Sequence, residues 1–282
     1  MNRMERYHIA ENTVQETLII PLYGRKLGSE LYPGILDDPY SAAAAGRLDY
    51  DFAELDKKKR TAAWRFGALE GILRPRDILE EMKAYLELHP GAFVVNMGCG
   101  LDQTPLIGDN GKMRLYNIDR PDVIGIRNEL LPPMGRETNI AADLSDPSWI
   151  KEIEPEEGVF LFAAGVFHYF RAGEVRDLVL RLLEAFPGGR LVFDTVGRTG
   201  QRLLMKKTLE NMGISDISGY FCISDPVSEI GGWSDRISVS SRRYLGGYVD
   251  LKSEGVPAGM RLMCRFFDRA MNMNICRLEF RP

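Results

Sequence analysis

The fold of this chain is decided by residues 93–102, which read Phe93-Val94-Val95-Asn96-Met97-Gly98-Cys99-Gly100-Leu101-Asp102. The first five residues are mostly apolar, and two glycines separated by one residue follow them at once. A short run that is apolar on both faces predicts a strand buried inside a parallel sheet. Because glycine adopts positive φ and lets a ligand come close to the backbone, the turn after this strand is a candidate ligand loop.

Further strands and helices alternate on the C-terminal side of this loop. Strands are predicted at 114–118, 137–141, 159–163 and 190–194. The clearest helix lies between the last two strands, where apolar residues recur at helical spacing at Val175, Leu178, Val179, Leu182, Leu183 and Phe186. Pro187-Gly188-Gly189 ends that helix. Strands that alternate with helices predict an α/β protein with a doubly wound sheet.

The regions that flank this core are predicted to differ from it. Residues 1–90 predict a helical N-terminal segment and lid, whose last helix runs from Pro75 to Leu88. Residues 91–282 are expected to hold the core, with a cap inserted at roughly 198–270 that lies over the site. Three elements are predicted in this last part of the chain: a helix at 200–212, a strand at 235–241 and a strand at 274–280.

The composition excludes several classes of function. Of the 282 residues, 45% are hydrophobic and 27% are charged, as in globular proteins that bury a large core. The net charge of -4 gives no sign of a nucleic-acid partner. The four cysteines form no C-x-x-C pair and the three histidines show no zinc spacing, so no metal is expected. Since no apolar leader is seen and no segment approaches the ~18 apolar residues of a membrane span, we expect a cytoplasmic protein without a membrane partner, and its oligomeric state is left open.

Acidic residues follow the next two predicted strands. Asp119 lies 21 positions after Gly98, at the end of the second strand, where a carboxylate can accept hydrogen bonds from both ribose hydroxyls of a nucleoside. Asp143 follows the third strand, where an adenine amino group could donate to it. A dinucleotide enzyme would need G-x-G-x-x-G, but the third position is Gln103. The pattern therefore favours a nucleoside without a diphosphate, such as S-adenosylmethionine.

Several motifs together resemble the leucine carboxyl methyltransferase superfamily. They are residues 93–102, 116–124 (Tyr-Asn-Ile-Asp-Arg-Pro-Asp-Val-Ile) and 130–132 (Leu-Leu-Pro). Residues 165–170 (Gly-Val-Phe-His-Tyr-Phe) and 49–52 (Asp-Tyr-Asp-Phe) are most similar to the bacterial branch of tetracenomycin polyketide O-methyltransferase-like proteins. The resemblance covers most of residues 20–200. It implies a class I S-adenosylmethionine-dependent methyltransferase fold, Rossmann-like, with a seven-stranded sheet whose last strand is antiparallel.

The resemblance also implies which residues hold the cofactor. Gly98 and Gly100 would bind it, Asp119 would hold the ribose, and Asp143 with Leu144 would hold the adenine. An N-terminal arginine would hold the methionine carboxylate, with Arg74 as the first candidate and Arg76 as the second, although either could be a surface charge at a helix start. The full predicted set is Arg74, Gly98, Cys99, Gly100, Asp119, Arg120, Asp143, Leu144 and Ala163.

Two positions depart from the family pattern. The family usually has Thr-Arg after Leu-Asp, whereas Gln103-Thr104-Pro105 follows here, which changes the loop. The leucine carboxyl enzymes carry a glutamate where this chain has Ala164. The second departure argues against the protein-phosphatase substrate of the eukaryotic branch.

The acceptor decides whether a general base is needed. Methyl transfer from a sulfonium is an in-line displacement, so the protein must align the acceptor and exclude water. A carboxylate acceptor is already ionised, whereas a phenol with a pKa near ~10 gains from a base. His168 is the candidate base and Tyr169 the candidate donor that orients the acceptor, although each also fits a packing role. Cys99 has no identifiable histidine partner and is interpreted as a small loop residue.

The leading hypothesis is an O-methyltransferase that acts on a hydroxyl or carboxyl of a small metabolite, with a polyketide-like acceptor as one candidate. A non-catalytic S-adenosylmethionine- or nucleoside-binding protein on the same fold is the main alternative. Its support is the departure from the family pattern at Gln103 and Ala164. An NAD(P)-dependent oxidoreductase is a third hypothesis, which Gln103 disfavours.

Overall fold

A computed structural model describes residues 6–8, 16–205 and 220–282. The strands are β1 (Tyr7–His8), β2 (Leu48–Asp49), β3 (Phe93–Met97), β4 (Arg114–Asp119), β5 (Glu137–Ala141), β6 (Val159–Ala163), β7 (Arg190–Thr195), β8 (Ile237–Arg243) and β9 (Asn274–Phe280). The α-helices are α1 (Glu16–Leu31), α2 (Pro39–Gly46), α3 (Ala53–Lys58), α4 (Ala62–Leu88), α5 (Thr104–Ile107), α6 (Pro121–Leu130), α7 (Ala172–Ala185), α8 (Arg198–Gly200), α9 (Pro226–Gly231) and α10 (Ala258–Met271). Short 3₁₀ turns lie at Pro147–Glu152 and Phe167–Tyr169, and a π turn lies at Gln201–Met205.

Seven of these strands form one sheet in the order β5-β4-β3-β6-β7-β9-β8. Strands β3 to β7 are parallel, and β9 runs antiparallel between β7 and β8. The chain moves outward from β3 to β5 and then returns to place β6 beside β3. The strand order therefore reverses between β3 and β6, and in open α/β sheets ligands bind at the carboxyl ends of the strands at that point. This is the predicted doubly wound fold of class I methyltransferases, and its last strand is antiparallel as expected.

Both faces of the sheet are covered, which explains why its strands are apolar throughout. On β3, Val94 points into a core formed with α4 and α10, whereas Val95 points into a second core formed with α7. On β6, Phe160 and Leu161 divide between the same two cores. Successive residues of a strand face opposite sides, so a strand buried on both sides needs an apolar residue at every position.

Most of the predicted elements are confirmed, with small shifts at their ends. The five parallel strands start at the predicted residues, and β4 and β7 each extend one residue further. The strand predicted at 235–241 is observed as β8, shifted by two residues, and the strand at 274–280 is confirmed as β9. Of the helix predicted at 200–212, residues 201–205 form a π turn, and 206–219 lie outside the described residues.

The prediction for the N-terminal segment is wrong in two details. This segment contains a short parallel pair, in which Tyr7 lies opposite Leu48 and His8 opposite Asp49. The helix predicted to begin at Pro75 is the second half of the 27-residue helix α4. Proline removes one backbone donor from a helix interior, but α4 continues through the buried Pro75. Helix α1 packs closely on the first half of α4. A β-carbon added at Gly28 would lie 2.4 Å from the Ala68 carbonyl oxygen.

The division into a lid at 1–90, a core and a cap at 198–270 stays a prediction. Within the predicted cap, β8 is the edge strand of the main sheet and α10 packs on the same face as α4. Among the described residues, no helix is both long and apolar enough to cross a bilayer.

Candidate cofactor and active site

The loop after β3 turns sharply and folds back onto β4. Gly98 and Gly100 have φ of +68° and +47°. The backbone N–H groups of Gly98 and Cys99 both donate to the Ile118 carbonyl, at 2.8 and 3.0 Å. A β-carbon at Gly98 would lie 2.5 Å from Cγ2 of Val166, in the loop after β6. Glycine is therefore required at position 98 both for its backbone conformation and for contact between the two loops.

Asp119 at the end of β4 holds this loop in place. Its Oδ2 accepts the N–H of Gly100 at 2.8 Å, and its Oδ1 accepts the N–H of Arg120 at 2.8 Å. Burial raises the pKa of Asp119, against the lowering effect of these two hydrogen bonds. Since a carboxylate offers about four acceptor positions, two remain for a ligand.

Asp143 follows β5, directly beside the end of β4. The N–H of Ala142 donates to the Asp119 carbonyl at 2.9 Å and joins the two strand ends. Oδ1 of Asp143 accepts the N–H and the hydroxyl of Ser145, each at 2.8 Å, and these bonds lower the pKa of Asp143. Leu144 is buried beside it. The predicted ribose and adenine residues therefore lie at adjacent strand ends, which we call the β4–β5 side of the site (Gly98, Gly100, Asp119, Asp143).

Two buried arginines that the sequence reasoning missed support this side. Nη1 of Arg127, on α6, donates to the carbonyls of Gly100 and Asp102 at 3.0 and 2.8 Å. Arg25, on α1, forms an ion pair with Asp102 and donates to the Leu101 carbonyl at 3.0 Å. These contacts fix the backbone of residues 100–102, just before the Gln103-Thr104-Pro105 stretch. Arg127 lies on the apolar face of α6, and a charged residue at such a position is the sequence signal that could have identified it.

On the other side of the point between β3 and β6 where the strand order reverses, a buried carboxylate binds three groups. Asp194, on β7, accepts the N–H of Gly165 on Oδ1 at 2.6 Å. Its Oδ2 lies 3.2 Å from Nη1 of Arg74 and 3.2 Å from Nε2 of His168. Burial opposes ionisation of Asp194, but the Arg74 charge and the His168 hydrogen bond outweigh it and hold its pKa below the usual range. We call this cluster the β6–β7 side of the site (Arg74, Gly165, His168, Asp194).

His168 and Tyr169 occupy different environments although they are neighbours. The His168 ring is buried, with Nε2 on Asp194 and with Nδ1 buried and unpartnered within the described part of the chain. Tyr169 is 39% exposed, and partial burial raises the pKa of its hydroxyl. Tyr169 is therefore accessible to an acceptor, whereas neither nitrogen of His168 is.

The remaining predicted residues differ in where the structure places them. Arg76 pairs with Glu80 on its own helix and does not join the cluster around Asp194, whereas Arg74 does. Arg120 pairs with Asp122 at 2.7 Å on the surface. Ala163 is buried at the end of β6. Burial raises the pKa of the Cys99 thiol to about 12, so the thiol stays protonated and unreactive, as its interpretation as a loop residue requires.

The loops after β3 and β6, which carry parts of the two sides, touch where Val166 packs against Gly98. The β4–β5 side offers carboxylates to hydroxyl and amino donors, and the β6–β7 side offers a guanidinium to a carboxylate. Nε of Arg74 is buried without a hydrogen-bond partner among the described residues, so this guanidinium has an unused donor. A nucleoside with an amino-acid tail, as in S-adenosylmethionine, carries these groups at its two ends. Within the described ranges, no cluster of side chains could hold a metal ion.

Comparison with known proteins identifies a family and two relatives. The sequence model of the family "Leucine carboxyl methyltransferase" matches residues 23–182. The tetracenomycin polyketide synthesis O-methyltransferase TcmP of Streptomyces glaucescens is 28% identical over 65% of this chain and 66% of its own length, just under two thirds. The S-adenosyl-L-methionine-dependent methyltransferase dpfgK of Gibberella zeae is 27% identical over 71% of this chain and 72% of its own.

A solved structure supports the fold. The crystal structure of a DUF574 family protein from Streptomyces avermitilis superposes with a TM-score of 0.55 and 14% sequence identity. The match covers 92% of this chain and 97% of that protein. The likeness therefore extends beyond the β3–β6 region to nearly the whole chain.

Proposed function

Because this chain belongs to the leucine carboxyl methyltransferase family and is an S-adenosylmethionine-dependent methyltransferase, we propose that it methylates an oxygen atom of a small acceptor molecule. The observation that carries the proposal is the placement of Asp119 and of Arg74, which Asp194 holds, on the two sides of the point where the strand order reverses. Asp119 can accept the hydroxyl donors of the cofactor, and Arg74 can receive its carboxylate. Its relatives include an O-methyltransferase of polyketide synthesis, which supports oxygen as the methylated atom.

Each side of the site has a proposed role in binding the cofactor. Asp119 accepts hydrogen bonds from the ribose hydroxyls, and Asp143 accepts one from the adenine amino group. Leu144 and Ala163 supply apolar contacts, and Gly98, Cys99 and Gly100 let the loop backbone approach the ligand. Arg74 holds the methionine carboxylate. The bound cofactor supplies a methyl group that its sulfonium has already activated, so the residues around it bind, align and exclude water.

We propose a carboxylate as the acceptor rather than a phenol. A phenol would need a base within hydrogen-bond reach, and both nitrogens of His168 are buried, one of them on Asp194. A carboxylate is ionised at neutral pH and needs no base. Tyr169, the accessible neighbour, can donate a hydrogen bond to the acceptor and orient it. A carboxylated polyketide-like molecule is therefore the first acceptor class to test.

Isothermal titration with S-adenosylmethionine, S-adenosylhomocysteine and NADH tests cofactor binding. We expect micromolar binding of the first two ligands and none of NADH. A screen for S-adenosylhomocysteine release should then compare aromatic carboxylic acids with phenols of matched size. Turnover with the acids would support the proposal, turnover restricted to phenols would overturn the acceptor class, and tight binding without any turnover would favour a non-catalytic binding protein.

A further inference from the structure

We propose that Asp194 is a positioning residue for the cofactor: it fixes Arg74 and the Gly165 loop in the arrangement that receives the methionine carboxylate. The inference rests on the proposed function, since it assigns Arg74 to that carboxylate. Asp194 itself is 3% exposed, so it acts through the groups it holds rather than by touching the ligand.

The contacts of Asp194 show how it acts. Its two oxygens join α4, the loop after β6 and β7 through Arg74, Gly165 and His168. Gly165 has φ of +71°, and a β-carbon there would lie 2.9 Å from Nη1 of Arg74. The guanidinium therefore lies directly against this glycine. Loss of the carboxylate would release the guanidinium and the loop together.

Glu70 is the group that competes for Arg74. It lies one helical turn earlier on α4, where an i, i+4 pair can form, and its charge acts on Arg74. Glu70 accepts the hydroxyl of the buried Tyr244, which holds its carboxylate near Arg74. With Asp194 ionised, the Arg74 guanidinium stays on the Asp194 carboxylate. Without that charge, the nearby carboxylate left to attract the guanidinium is that of Glu70. Asp194 thus decides which way the guanidinium points.

The experiment compares two ligands that differ only at the amino-acid end. Affinities for S-adenosylhomocysteine and for 5′-methylthioadenosine, which lacks the amino acid, are measured by isothermal titration. We expect Asp194→Asn to weaken S-adenosylhomocysteine binding by about tenfold or more, as for a lost charged contact, and to leave 5′-methylthioadenosine binding within about twofold. The double variant Asp194→Asn/Arg74→Met should bind no more weakly than Arg74→Met alone, because the two residues act as a unit.

Two further variants sharpen the test. Glu70→Gln added to Asp194→Asn should restore part of the lost affinity, because the competing charge is gone. Arg76→Met, on the same helix but paired with Glu80, is the matched control and should change neither affinity. If Asp194→Asn does not fold, Asp194→Glu carries the same test, since its displaced carboxylate should also reduce S-adenosylhomocysteine binding selectively.

Three results would overturn the inference. Equal loss of both ligands would show that Asp194 only stabilises the fold. Unchanged or tighter S-adenosylhomocysteine binding would show that Arg74 needs no positioning by Asp194. Failure of the unaltered chain to bind S-adenosylhomocysteine at all would overturn the proposed function, and with it this inference.

Discussion

The two sides of the site are built in different ways. On the β4–β5 side, Asp119 accepts the backbone N–H groups of Gly100, which follows the neighbouring strand 19 positions earlier, and of Arg120, the next residue. On the β6–β7 side, Asp194 binds Arg74, 120 positions away, and His168, 26 positions away. The first side is a local strand-end motif, whereas the second is a side-chain network assembled by the whole fold.

One side of the site therefore depends mainly on backbone conformation, and the other mainly on charged side chains. The β4–β5 side depends on glycine backbone angles and on a carboxylate whose pKa burial raises. The β6–β7 side depends on a buried carboxylate whose pKa is held low by Arg74 and His168. Substitutions on the first side should therefore affect every ligand that carries the nucleoside, and substitutions on the second side should affect only ligands that carry the amino acid.

The largest effect is expected for Gly98→Ala, which acts on the contact between the two sides. An alanine at φ of +68° costs about 1–2 kcal/mol, and its β-carbon would overlap Val166, which adds about 1–3 kcal/mol. The free energy of unfolding, measured with urea, should fall by about 2–5 kcal/mol in total.

Gly100→Ala is the matched control for that change. Its added β-carbon would meet Leu18 at an ordinary 3.4 Å, so only the backbone cost of about 1–2 kcal/mol applies. Combining Val166→Ala with Gly98→Ala should return part of the lost stability. Equal losses for the two single variants would show that the loops do not pack as described.

The next largest effect is expected for Asp119→Ala. Loss of charge-assisted hydrogen bonds of about 1.5–3 kcal/mol should weaken binding of S-adenosylhomocysteine by about 10- to 150-fold. The affinity for 5′-methylthioadenosine should fall by a similar factor, unlike the selective loss expected for Asp194→Asn. Isothermal titration of the two ligands checks this, and a loss confined to S-adenosylhomocysteine would reverse the assignment of the two sides.

The same contrast explains what could be predicted from the sequence. The buried strands and Asp119 follow from local patterns, namely an apolar run, a G-x-G turn and an acidic residue one strand later. Asp194 also ends a predicted strand, so the same signal was present, but its partner Arg74 lies on another element and only the fold brings them together. The pair β1–β2 has two residues on each strand, which is too short to show any periodicity.

The pH dependence of binding should differ between the two sides. A ribose hydroxyl binds an ionised carboxylate more strongly than a protonated one. Because the pKa of Asp119 is raised, affinity for 5′-methylthioadenosine should fall as the pH drops through that pKa. The pKa of Asp194 is lowered, so this carboxylate stays ionised over the pH range of the titration. The stability that it contributes is lost only at more acidic pH. Titration from pH 7 to pH 4.5, with folding checked by circular dichroism, measures the effect, and Asp119→Asn should show a flat profile.

The smallest effect is expected for His168→Gln. The glutamine amide can still donate to Asp194, and no nitrogen of His168 is accessible to an acceptor. Turnover of a carboxylate acceptor should stay within about fivefold of the unaltered enzyme, and no limb of the pH–rate profile should disappear. A fall of about a hundredfold or more, together with loss of such a limb and with cofactor affinity kept, would identify His168 as a general base after all. The β6–β7 side would then act on the acceptor as well as on the methionine carboxylate, and a phenol would replace the carboxylate as the proposed acceptor.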